Sequence, residues 1–393
     1  MVTVLAPPAA VTEPASPPVT ARRLLTGYYV GLGALMAVWG TRMPAVQSAA
    51  HLTPGLLSLV LLASAAGIVA GLYLGGRIAH RHGPARLLTA PAIAVAAALA
   101  ALGACRTLTT LIAAAACFGV AHGLLDVGAN VAAVRCQDAY GRSILSGIHA
   151  GFSLGALGGA AAAAATAHIS HRTVFLVAGL AAVAGIVLAI PATRSIIRLT
   201  PAASDGHEPA AQSNTPRARL WLLGALAAAC LLGEGAAADW SAVHLHGLGA
   251  TAAVSASAYA VYSAAMAAGR LAGDRLIARY GAPILVRMGA VLATAGLAAG
   301  LLADAAPAAL AGWAALGLGL SATVPALITA AGRHGPRAVA AVTTTGYLGL
   351  LAGPAVIGAL ASLTGSLPAA LALPVLLAAV VAAASRTALE TSR

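Results

Sequence analysis

The chain has 393 residues, of which 60% are hydrophobic and 8% charged, about a third of the charged share that covers an ordinary soluble domain. Most of its surface therefore meets something other than water, and lipid is the simple answer. A net charge of +12 raises nucleic acid as a partner, but the arginines stand in short gaps between long apolar runs and form no basic face, which excludes that class.

All 22 basic residues are arginine. The four cysteines (Cys105, Cys117, Cys136, Cys230) lack metal-type spacing and read as small hydrophobes within helices. There is no HExxH, P-loop or nucleophile elbow, so neither an enzyme, a metal site nor a cofactor is expected.

In chain order, residues 1–21 are proline-rich and read as a disordered cytoplasmic tail. Windows of about 20 apolar residues then recur, each long enough to cross a hydrocarbon core of about 30 Å. The expected spans are 24–46, 54–77, 86–104, 107–134, 143–167 and 172–191, which form a first six-helix bundle over 22–191. Residues 192–218, with the string TPAASDGHEPAAQSNTPRAR, read as a cytoplasmic linker. The spans 219–243, 251–275, 284–303, 307–330, 338–363 and 367–386 form a second bundle over 219–387, and 388–393 a cytoplasmic tail. The fold class expected is an all-α membrane protein of twelve transmembrane helices in two pseudo-symmetric bundles. Arginine placement sets the orientation: with the N-terminus inside, Arg42, Arg106 and Arg172 fall outside and the other nineteen on the cytoplasmic side. Both termini are expected in the cytoplasm, in a bacterial inner membrane.

Laying Gly71 on Gly269 superimposes three stretches of the chain on three later ones without a gap. Gly71, Gly75, Arg77, Arg81 and Gly83 meet Gly269, Gly273, Arg275, Arg279 and Gly281. Gly119 and Arg135 meet Gly317 and Arg333, and Gly151 and Gly155 meet Gly349 and Gly353. A shared register for arginines at three helix ends marks a repeat of six helices. Six is even, so the halves share one orientation, related by an axis along the membrane normal, with the substrate site between them.

The repeated element carries a resemblance. Gly76-Arg77-Ile78-Ala79-His80-Arg81-His82-Gly83 resembles the loop after helix two of the major facilitator superfamily, with His80 where that family has its acid. The second copy, Gly269 to Arg275, keeps an acid at Asp274. The resemblance implies a latch between the halves, carried mainly by the second copy, with Arg81, Gly83, Asp274, Arg275 and Gly281 as its residues. Trp39-Gly40-Thr41-Arg42-Met43-Pro44, Asp126 to Asn130, His149 to Ser153 and Glu234 to Ser241 together resemble the fucose-permease-related, YbjJ-like branch.

A charge within the bilayer costs at least about 2.5 kcal/mol, so it faces a cavity or a partner. His122, Asp126 and Asn130, spaced four apart, share one helix face; they offer titration and hydrogen bonding to a polar solute, or else form a clamp between helices. Glu234 suits a carboxyl that loads and releases a proton, or one paired with a cation that holds the halves. Arg42, with Trp39 on the same face, pairs with Asp126 or Glu234, clamps a substrate, or snorkels to the headgroups. His149 matches Tyr347 under the repeat. Tyr259, Tyr262 and Tyr347 offer stacking surfaces or core packing, and Asp239 stands near the outer surface. The glycines Gly147, Gly151, Gly155, Gly346, Gly349 and Gly353 read as packing devices.

The function expected is a monomeric secondary carrier without cofactor, driven by the proton gradient, that moves a small polar solute resembling a sugar or polyol by alternating access. The alternatives are an exporter of a drug or secondary metabolite, since Gly155-Ala156-Leu157-Gly158-Gly159 is similar to an antiporter motif without its proline, and a non-transporting membrane sensor.

Overall fold

The computed structural model describes residues 18–52, 54–198 and 217–390. Most of the expected N-terminal tail, residues 199–216 of the expected linker and the last three residues lie outside the described residues. Among the described residues, twelve long helical segments follow one another. The first six are α1 (Val19–Thr41), α2 (Pro54–His82), α3 (Thr89–Ala104), α4 (Leu108–Tyr140), α5 (Leu145–Ala165) and α6 (His171–Arg198). After them come α7 (Arg217–Gly247), α8 (Ala252–Tyr280), α9 (Ala282–Leu302), α10 (Ala306–Leu320 and Thr323–Gly332), α11 (Pro336–Thr364) and α12 (Leu367–Ala370 and Ala372–Leu389).

Proline and glycine place the breaks. Pro44 stands in the first turn of a short helix, Met43–Ala49, where its missing N–H costs nothing, so α1 stops at Thr41 rather than running to 46. Pro325 removes the donor that would bond Ser321, and α10 breaks between Leu320 and Thr323. Gly83 and Gly281, equivalent under the repeat, have φ of 79° and 81°. That left-handed backbone suits glycine and ends α2 and α8.

Among the described residues, ten spans satisfy both length and hydropathy for crossing a membrane. The other two long helices are α5 and α8. Arg270, Asp274, Arg275 and Arg279 dilute α8. The two helices pack on each other between the halves, where protein rather than lipid surrounds their polar groups.

Pairing repeats the order of the sequence. In the first half α1 packs on α5, α2 on α4 and α3 on α6; in the second, α7 packs on α11, α8 on α10 and α9 on α12. Each pair recurs six helices later. The contacts between halves, α2 with α11 and α5 with α8, are also exchanged by that shift. Small residues set the closeness. A Cβ on Gly67, Gly71, Gly119 or Gly123 would strike the backbone across the α2–α4 seam, and one on Gly155 or Gly349 would strike the carbonyl of Val30 or Ala228.

The halves meet at the end of the bundle that holds both termini. Gly76 of α2 lies against Ala340 of α11, and Gly332 of α10 against Val134 of α4. Gln137 of α4 donates to the Thr329 hydroxyl of α10 at 3.2 Å and accepts from the N–H of Ile144 and Leu145 at 3.0 and 3.2 Å. Beyond this closed end, a cavity of about 430 Å³ lies between the halves and reaches Trp39, Gly40 and Met43 toward the opposite end.

Candidate functional site

The polar residues of the cavity come from seven helices, with Tyr29 of α1 and Ser64 of α2 among them. α4 contributes His122, Asp126 and Asn130, one turn apart on one face; α5 contributes His149, α7 Glu234, α8 Arg270 and α11 Tyr347. Asp126 is 6% exposed and Asn130 1%, and the protein holds most of these groups by hydrogen bonds.

Asn130 organises one cluster. Its Oδ1 accepts from the Tyr29 hydroxyl at 2.7 Å and sits 3.1 Å from His149 Nε2, while its Nδ2 donates to the Asp126 carbonyl at 3.0 Å. The Tyr29 and His149 rings pack with centroids 4.8 Å apart. A second cluster joins the halves: His122 Nε2 lies 3.2 Å from the Tyr347 hydroxyl and its Nδ1 3.1 Å from Met36 Sδ.

The third cluster is charged. Arg270 Nη2 lies 3.8 Å from Glu234 Oε2, with the side chains 7% and 24% exposed. Arg270 Nη1 donates to the Ser153 hydroxyl of the other half at 2.8 Å. Below it, the Ser146 hydroxyl donates to the Arg270 carbonyl at 2.9 Å. Asp274, one turn further along α8, accepts from the N–H of Ser146 and Gly147 at 3.0 and 2.8 Å and from the Ser143 hydroxyl at 3.2 Å. These are the donors that the start of α5 leaves unmet, and the helix dipole favours a carboxylate there.

Three comparisons complete this picture. Residues 24–354 match the family model of the Major Facilitator Superfamily. The chain belongs to the Major Facilitator Superfamily. An uncharacterized MFS-type transporter of Yersinia pestis is 32% identical over 367 residues, which cover 92% of this chain and 94% of the relative. Among solved structures, the MFS transporter FucP in the outward conformation superposes with a TM-score of 0.75 at 17% identity, covering 95% of this chain and 100% of that one. A second structure, of the E. coli fucose:proton symporter FucP, gives 0.68 at 16% identity over 96% and 100%. The chain is thus a multi-pass membrane transporter that binds small-molecule solutes, in a family of carriers rather than enzymes.

The structure brings together Asp126, Asn130, Glu234, His122, His149 and Tyr347, with Trp39 on the wall. Trp39 is itself buried against Phe118 and Phe175, with centroids 6.1 and 5.9 Å away. Arg42 is elsewhere. Its guanidinium donates to the carbonyls of Ala163, Thr166, Ala167 and Ile169 and to the Thr166 hydroxyl, so it closes the C-terminal end of α5 and pairs with neither expected carboxylate. Unmet carbonyls end every helix and attract a cation, but no sequence pattern says which arginine reaches them. Tyr262 is buried against Gly317, and Tyr259 stacks on it at 5.9 Å; neither lines the cavity.

Of the expected latch residues, Asp274 contacts the other half through Ser143, Ser146 and Gly147. Arg81 and Arg275 are exposed, and the ion pairs among the described residues are Glu234–Arg270 and Arg386–Glu390. Under the repeat shift Asp274 stands opposite Gly76, one turn before His80, so its acid occupies a different register from the family position that His80 fills. Sequence reasoning missed Arg270, Tyr29, Met36 and Gln137. The signal for Arg270 was present. It lies nearly three turns before Tyr280, the last residue of α8, too deep for an arginine to serve only the surface.

Proposed function

We propose that the chain carries a small polar solute, of sugar or polyol type, coupled to protons. The observation that carries this reading is a carboxylate in the cavity, Asp126, that forms no ion pair among the described residues, facing a second carboxylate, Glu234, held by Arg270. A buried carboxylate without a cation is a natural proton acceptor. Protonation of Glu234 removes the charge that holds Arg270 on its own half and leaves Ser153 of the other half as the competing partner. Loading therefore alters the contact between halves. Asn130, His149, Tyr29 and Tyr347 supply hydroxyl, amide and imidazole partners suited to a polyhydroxylated ligand. FucP, whose fold this chain shares, is described as a fucose:proton symporter.

Both termini lie in the cytoplasm by arginine placement, in a bacterial inner membrane, since the matched relative from Yersinia pestis is bacterial. The closed end is then cytoplasmic and the cavity faces outward. The carrier works as a monomer without cofactor, and Asp274 on the start of α5 is the latch that must release for the cavity to turn inward.

A second reading, export of an amphipathic compound, draws on the apolar wall of Met36, Trp39, Leu61, Ile68, Phe152 and Leu231. The test is accumulation in proteoliposomes under an imposed pH gradient, with a panel of labelled sugars and polyols. Wild type concentrates one of them, whereas Asp126→Asn and Glu234→Gln fail to accumulate it. Accumulation by both variants overturns the coupling assignment.

A further inference from the structure

A second cavity, of about 540 Å³, lies on the flank of the first half among α1, α3, α4 and α6, and shares no lining residue with the cavity between the halves. Its wall is apolar over most of its length: Leu24, Leu32 and Leu35 of α1, Val95 of α3 and Ile186 of α6. Gly27 and Gly31 of α1 and Gly185 of α6 open it, for a Cβ on any of them would meet nothing within 4 Å. Gly27 and Gly185 are exposed, so the groove faces the lipid.

Polar groups stand at one end. Arg23, exposed and without an ion pair among the described residues, lines the mouth beside Thr20 at the end of the bundle that holds the termini. Tyr28 lies five residues further in, about 7.5 Å deeper. It is 7% exposed, and its hydroxyl faces Thr89 yet has no hydrogen bond of ordinary geometry. A cation at the mouth followed by an apolar slot matches, in the same order, the phosphate and acyl chain of a phospholipid. The fold does not require it. The equivalent positions of the second half are Trp221, Ala225, Leu226 and Ala229, which offer no cation, no hydroxyl and no glycine.

We propose that this groove binds one anionic phospholipid of the leaflet on the side of the termini, its phosphate at Arg23 and one acyl chain along Gly27, Gly31 and Gly185. Arginine matches phosphate by its paired donors, and basic pockets between transmembrane helices favour anionic headgroups.

Native mass spectrometry of the full chain, equilibrated with equal phosphatidylglycerol and phosphatidylethanolamine, tests this. Wild type retains one phosphatidylglycerol per chain in preference to phosphatidylethanolamine. Arg23→Gln lowers that retention about fivefold. Gly31→Leu, whose Cβ meets nothing within 4 Å and whose side chain enters the slot, abolishes it while the melting temperature of lipid-free protein is unchanged. Equal retention of the two lipids by wild type, or undiminished retention in both variants, overturns the proposal. So does binding of free oleate without phosphatidylglycerol.

Discussion

The two seams that close the cavity occupy equivalent places in the repeat and are built from different chemistry. Where α8 meets α5, Asp274 accepts two backbone N–H groups and a hydroxyl, and Arg270 reaches Ser153. Where α2 meets α11, the residue equivalent to Asp274 is Gly76, packed on Ala340, and the residue equivalent to Arg270 is Leu72. One seam must break charge-assisted hydrogen bonds in order to open, and the other needs only to separate apolar surfaces. Pseudo-symmetry of backbone thus coexists with asymmetry of chemistry: of the two seams, the α8–α5 one carries these polar contacts.

The sharpest way to break this comparison is Arg270→Met, which removes the Ser153 contact and leaves Glu234 without its cation. It is expected to abolish transport and to destabilise the protein by about 3 kcal/mol, while Arg270→Met with Glu234→Met recovers most of the stability in thermal unfolding. Next comes Asp274→Ala, which leaves the start of α5 uncapped at about 2 kcal/mol, a roughly 30-fold shift toward states open at the termini. Distances between spin labels at Arg142 and Arg279 report it as a new long-distance population. Tyr347→Phe, which loses the bond to His122, costs about 1 kcal/mol, read as a fivefold weaker response to solute. The smallest effect sharpens the contrast from the other side. Gly76→Asp with Ala340→Gly places an acid beneath α11, but Pro336 in the first turn of that helix supplies no N–H, so the gain is about 0.5 kcal/mol.

Much of this architecture was legible in the residues because periodicity and register survive in sequence. The repeat shift, fixed by glycines and arginines at helix ends, places α2 on α8 and α5 on α11, and the helix pairs obey it. The cavity's α4 face was legible for the same reason, since a spacing of four is one turn. The rest was hidden by its dependence on partners distant in the chain. Asn130 looked like one polar residue among several, and its hub role depends on Tyr29 and His149 arriving from α1 and α5. Arg270 sat inside a motif that draws the eye to helix ends. The sequence points Arg42 toward a carboxylate, a substrate or the headgroups, whereas it serves backbone carbonyls that every helix end exposes and no side chain advertises.

The proposed coupling makes binding of a polar solute in the cavity between the halves depend on Asp126. A thermal-shift screen of the purified protein against sugars, polyols and cationic amphiphiles, repeated on Asp126→Asn, tests it most directly. Solute at 100 times its dissociation constant should stabilise by about 2.7 kcal/mol. The account predicts a shift with a polar solute in wild type and none with that solute in Asp126→Asn. A shift with amphiphiles alone, or a polar-solute shift that survives the substitution, would contradict it.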